Sequence, residues 1–115
     1  MDTEALQMAE QAFCDVLERF AFMFSEPLPA QELKPPETDF CRATIGFDGP
    51  RKGTLAIGAS AEVCEMLAAN ILGMEPRMIN REAGEDSFKE VLNVTCGEFL
   101  EHLAGPESVF DLTVP

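Results

Sequence analysis

The chain has 115 residues, 46% of them hydrophobic and 25% charged, which suits one ordinary globular domain, residues 1–115, and excludes a disordered or fibrous protein. Twenty-one acidic residues against 8 basic ones give a formal charge of −13, and the basic ones are scattered, so neither nucleic acid nor an anionic membrane surface is an expected partner. No apolar run approaches the ~20 residues that a membrane span needs. The acidic start MDTEALQMAE lacks the basic region of a secretory signal, so a cytoplasmic address is the default.

From Thr3 to Phe24 the apolar residues Leu6, Ala9, Phe13, Val16, Leu17, Phe20 and Phe24 recur at helical steps, with Thr3 placed to serve as N-cap. SEPLPAQELKPPETD follows, a proline-rich connection. Two short strands come next, Ala43 to Phe47 and Thr54 to Ala59, around the turn DGPRKG. Ser60 is placed to cap a second helix that Gly73 ends, with Val63, Met66, Leu67 and Ile71 as its buried stripe. MEPRMINREAGED reads as a polar connection. DSFKEVLNVTCGEFLEHL, from Asp86 to Leu103, is the third helix, stopped by Gly105-Pro106, and ESVFDLTVP is a closing strand. Helix, hairpin, helix, helix, strand predicts an α+β fold, an antiparallel sheet covered by helices.

Cys14, Cys41, Cys64 and Cys96 are dispersed without CxxC spacing, each in or beside an apolar run, and read as reduced core thiols. His102 has no second His or nearby Cys, so no metal site is expected.

The third helix carries the one pattern that points to chemistry. At about 100° per residue, Phe88, Val91, Leu92, Phe99 and Leu103 share the core side. Asp86, Glu90, Asn93 and Gly97 form a stripe on the opposite side, stacked along the axis. Gly at an exposed interior position costs about 1 kcal/mol against Ala, and Asn several tenths. Weak helix formers on a face where packing does not constrain the choice make sense if another molecule must approach the backbone there. Glu90 offers an acceptor, and Asn93 both a donor and an acceptor. The plain alternative is a wet helix face whose Gly97 lets a neighbouring helix come close.

DSFKEVLN resembles the signature of the CheC/CheX group of chemotaxis phosphatases: Asp or Ser, three residues, Glu, two residues, Asn, and a later Pro. Asp86, Glu90 and Asn93 fit the polar positions, and Pro115 follows Asn93 after 21 intervening residues, one short of the usual spacing. KGTLAIGASAEVCEMLAANILGMEP and VLERFAFMF resemble further segments of CheX-like domains, so the likeness runs over most of the chain.

The resemblance implies a CheC-like fold and dephosphorylation of the aspartyl phosphate of a CheY-like response regulator. Glu90 would engage the regulator's lysine, and Asn93 would position water for in-line attack. Asp86 would support the site's entrance and Gly97 would give clearance. The protein would need no cofactor of its own, the Mg²⁺ belonging to the regulator. CheC-like members carry a second signature on the first helix; here Cys14, Glu18 and Ala21 occupy those positions, without the Asn. One site per chain is the CheX-like arrangement, and that relative is a homodimer. The family usually continues past the Pro into further strands, so either a shortened C-terminal part or a sheet finished in some other way is expected, and an exposed edge would invite pairing. The rival reading is a non-catalytic dimeric adaptor that binds a regulator and leaves its phosphate alone. A metabolic enzyme is the poorest option, because no Ser-His-Asp set, phosphate-cradling Gly loop or metal cluster is present.

Overall fold

In a computed structural model of the chain, residues 3–32 and 40–114 are described. The elements run α1 (Thr3–Ala21), β1 (Phe40–Asp48), β2 (Gly53–Ser60), α2 (Ala61–Leu72), α3 (Arg81–Ala104) and β3 (Asp111–Leu112). Single 3-10 turns lie at Ala30–Glu32 and Pro76–Met78. The fold is α+β, as the element order predicts: a three-stranded antiparallel sheet in the order β2-β1-β3, with helices packed together over it.

The sheet owes its two faces to strict alternation. Ala43, Ile45 and Phe47 of β1 are buried, and opposite Ala43 and Ile45 stand Ile57 and Leu55 of β2, packed against the same core. The other face carries small or polar residues such as Thr44, Ala56 and Gly58, all exposed. Phe47 ties three parts of the molecule together. Its ring stands edge-on to Phe99 of α3 at 6.1 Å and to Phe110, just before β3, at 6.0 Å.

The C-terminal segment is held against the hairpin at close quarters. A Cβ on Gly49 would lie 2.6 Å from the Val109 carbonyl oxygen, so the turn after β1 has room only for glycine. Two hydrogen bonds then clamp Thr113 onto β1: its N–H donates to the Gly46 carbonyl at 3.0 Å, and its hydroxyl accepts from the Gly46 N–H at 2.8 Å. These contacts fix residues 111–114 beside α3.

Helix α3 is the spine of the core. Phe88, Val91, Leu92, Cys96, Phe99 and Leu100 are buried on it, against Val16 and Leu17 of α1, Cys64 and Leu67 of α2, and the inner sheet face. An ion pair between Arg19 and Glu98 adds a polar link between α1 and α3. Leu103, expected on the core side, is half-buried and packs against the core at its margin.

Four local expectations are corrected. Helix α1 stops at Ala21 and not at Phe24, because Phe22 turns into the left-handed region at φ 54. The freed Ala21 carbonyl accepts a 2.7 Å hydrogen bond from the Asn70 amide of α2. Thr3 already lies within the helix and so is not the residue that precedes it. Helix α3 starts at Arg81, five residues before Asp86, because the Asn80 side chain caps it by accepting from the Ala83 N–H at 2.8 Å.

The last correction is the buried stripe of α2. Of the four residues expected there only Leu67 is buried, with Cys64, Ala68 and Ala69 beside it; Val63, Met66 and Ile71 are exposed. The helix is apolar on most sides, and small side chains let it lie close to its neighbours, so bulk did not mark the inner face. The caps of α2 stand as expected. The Ser60 hydroxyl accepts from the Val63 N–H at 3.2 Å, and Gly73 closes the helix at φ 67. Pro115 lies outside the described residues.

All four thiols are free, Cys64 and Cys96 buried, and Cys14 and Cys41 half-buried. Burial pushes the Cys64 thiol from 9.0 up to about 12, helped by its hydrogen bond with Cys41 and by the charges of Cys41, Glu85 and Glu65. Burial also raises Cys96.

Two predictions follow from this packing. The folded state keeps the Cys64 proton while the unfolded chain loses it above pH 9, so stability is full below about pH 9 and declines as pH rises towards about 12. Denaturant midpoints measured across that window should show the decline, with a shallower slope in Cys64→Ala. Separately, the Thr95 hydroxyl on α3 is buried and finds no hydrogen-bond partner among the described residues. Replacing it with the near-isosteric Val removes an uncompensated polar group, so Thr95→Val should stabilise the fold by about 1 kcal/mol in urea unfolding.

Candidate functional site: the outer face of the third helix

Burial of the opposite side of α3 sets the helix's rotation, and the polar stripe follows from it. Asp86, Glu90, Asn93 and Gly97 are all exposed, while Ser87, Phe88, Val91, Leu92, Thr95 and Cys96 between them are buried. A helix turns about 100° per residue, so no rotation could bury one set without exposing the other. None of the four polar-stripe residues lies in the core.

Three of the four share one cleft. Asp86, Glu90 and Asn93, with Lys89 beside them, form one wall of an open groove of about 450 Å³. Leu112, Thr113 and Val114 form the other. The far wall is the segment clamped onto β1 by Thr113, so its position relative to the helix is set by the sheet and not by the loop alone. Gly97 lies outside this groove. It opens onto an adjoining depression of about 210 Å³, lined also by Gly105, Ser108 and Phe110, with Leu112 on the ridge between the two.

Gly97 separates the two readings that its helix position allows. A Cβ built on it meets nothing within 4 Å, so no neighbouring helix needs the space. Its absence of side chain leaves bare backbone facing outward, one turn from Asn93.

The groove is open and polar on the helix side. It sets two carboxylates, a carboxamide and an ammonium within two turns of one rigid helix, against an apolar and hydroxyl-bearing segment. Such a set can bind a polar group and orient a water; it contains no nucleophilic thiol or hydroxyl pair with a base. Among the described residues no group of three or more His, Cys, Asp or Glu could hold a metal ion, and no helix is long and apolar enough to cross a membrane. His102 is exposed near the end of α3. A more apolar groove lies between the N-terminal half of α1 and β2 and contains none of the stripe residues.

The corresponding positions of α1 are unlike those of α3. Glu18 is exposed, but Cys14 is half-buried, and Ala21 is fully buried with its carbonyl bound by Asn70. Lys89 was not singled out from the sequence. Its position one residue before Glu90 was the available signal, and it lines the groove with the stripe.

Comparison with known proteins bears on the fold and the family. The chain superposes on crystal structures of a CheC-like superfamily protein from Shewanella sp. PV-4 (TM-score 0.75, 24% identity, 99% of this chain and 75% of that one) and of the chemotaxis protein CheX from Vibrio vulnificus (0.75, 23%, 97% and 75%). It also superposes on the chemotaxis protein CheX from Desulfovibrio desulfuricans (TM-score 0.70, 19% identity, 96% and 74%). At these identities the likeness establishes the fold. No match is found among curated proteins. The sequence profile of the family described as chemotaxis phosphatase CheX matches residues 41–115, which include β1 to β3 and the whole of α3. The chain belongs to the chemotaxis phosphatase CheX family.

Proposed function

We propose that this protein is a cytoplasmic phosphatase of a CheY-like response regulator, acting through Glu90 and Asn93. The observation that carries the reading is the outward placement of these two residues, three apart on a helix whose other face is locked in the core, within a groove open to a partner. The family supplies the chemistry, since its members are chemotaxis phosphatases.

Hydrolysis of an aspartyl phosphate needs a water oxygen to bond to phosphorus opposite the departing carboxylate oxygen. The products are the free aspartate and inorganic phosphate. Charge on the phosphoryl oxygens would be balanced by the regulator's own Mg²⁺. A helper protein then contributes mainly by positioning. The Asn93 carboxamide, neutral and rigidly mounted, accepts a hydrogen bond from the attacking water through its oxygen and donates through its nitrogen to a phosphoryl oxygen. Glu90, one turn back, pairs with the regulator's lysine and fixes the register of the two proteins. Asp86 borders the entrance, and Gly97 leaves room for the partner's backbone. The two outer edges of the sheet, β2 and β3, suit pairing with a second copy, in line with a homodimer.

Replacing Asn93 with Ala should slow stimulated dephosphorylation at least tenfold, about 1.4 kcal/mol of transition-state stabilisation, with folding unchanged. Phosphate release from phosphorylated CheY-like receivers is the measurement, and an unchanged rate would remove the mechanism. Binding without accelerated decay in the wild type would instead identify an adaptor. Gly97→Ala separates clearance from folding. It should raise helix stability by about 1 kcal/mol, several degrees in Tm, while raising the KM for the regulator. A fall in Tm would show that Gly97 serves the fold.

A further inference from the structure

The stripe residues are acidic or neutral, yet the proposed substrate is an anion on a partner that must approach a chain of charge −13. Like charges slow encounter and weaken binding unless the docking surface offsets them locally. One side chain in the groove has the opposite sign. Lys89 lies four residues before Asn93, on the same side of α3, and lines the groove with Asp86, Glu90 and Asn93. It also lines an adjoining depression of about 430 Å³ whose strand side carries a second cation, Arg42 of β1.

Three of the other described cations are engaged, and Arg51 and Lys52 line the separate apolar groove by α1. Arg19 pairs with Glu98, Arg77 with Glu75, and Arg81 with Glu85. The last pair matters here. Glu85 stands one turn before Lys89, at the spacing that would ordinarily pair with it, and Arg81 takes that carboxylate at 3.1 Å. Lys89 and Arg42 make no ion pair among the described residues. An exposed ammonium is thus left standing beside the carboxamide, with a guanidinium behind it.

We propose that Lys89 is the anion-recognising residue of this site: it binds the dianionic phosphoryl group of the docked receiver and makes the protein select the phosphorylated partner over the unphosphorylated one. This rests on the phosphatase reading of the groove. Lys suits the role because its ammonium is a compact charge on a flexible stem, able to follow a tetrahedral group as it turns. Asn93 orients the water, and Lys89 holds the group attacked. Arg42 adds to the local positive field from the sheet side.

The test uses CheY-like receiver domains of the same organism, phosphorylated with acetyl phosphate, and compares wild type, Lys89→Met, Lys89→Arg and Asn93→Ala. Met matches Lys in helix propensity, so the fold should stand. Lys89→Met is expected to raise KM about tenfold with kcat within twofold, to lose the preference for phosphorylated over unphosphorylated receiver, and to flatten the dependence of KM on salt. Lys89→Arg should restore most of the KM. A KM unchanged in Lys89→Met, alongside a slow Asn93→Ala variant, overturns the role of Lys89 and leaves the phosphatase reading standing. Should the wild type accelerate no decay, that reading fails by itself. Direct titration then decides for Lys89: equal affinity of wild type and Lys89→Met for phosphorylated receiver, or no binding by either, overturns the proposal.

Discussion

Everything in this molecule turns on the rotational setting of α3. The helix buries Phe88, Val91, Leu92, Cys96 and Phe99 between two other helices and a sheet. Burying such side chains fully is worth on the order of 1.5–3 kcal/mol each before entropy is counted, so turning the helix by even one residue step is heavily penalised. That penalty aims Glu90 and Asn93. Loops position residues loosely; a core helix does so firmly, and a helper in phosphoryl transfer has little to offer except firm positioning.

The sheet supplies the second fixed reference. Phe47 stacks edge-on against Phe99 of α3 and against Phe110, and Thr113 is clamped by two hydrogen bonds to Gly46. Helix and strand are therefore positioned through the same core, and the groove between them inherits its width from that packing. The polar face of α3 adds little to folding. The interior of the same helix carries its one flaw, the unpartnered Thr95 hydroxyl.

How much of this was legible in the sequence depended on how one-sided each element is. Along α3 the large apolar residues recur at helical steps opposite Asp86, Glu90, Asn93 and Gly97, and both faces could be read from that spacing. The hairpin alternates, and its strands were found within a few residues of their ends, Phe40–Asp48 and Gly53–Ser60. The caps at Ser60 and Gly73 announced themselves by residue type. Where the sequence misled, the cause was tertiary. Helix α2 is apolar on most sides, so size pointed to Val63, Met66 and Ile71, whereas close packing chose Cys64, Ala68 and Ala69. The end of α1 depends on a left-handed Phe22 and on an amide from Asn70, 49 residues away, neither of which leaves a local trace. The outward stripe of Asp86, Glu90 and Asn93 was legible from its spacing. The cleft was not, since its second wall comes from residues 112–114, and Lys89 stood out only once that wall was in place.

Because the groove-facing residues of α3 are held by the fold without holding it, packing places no constraint on their identity. Substitutions along that face do not have to be matched by compensating changes inside, whereas each change at Leu92 or Phe99 does. The surface chemistry of this face can thus change one residue at a time while the scaffold endures. The three superposed structures share this shape with the chain at only 19–24% identity.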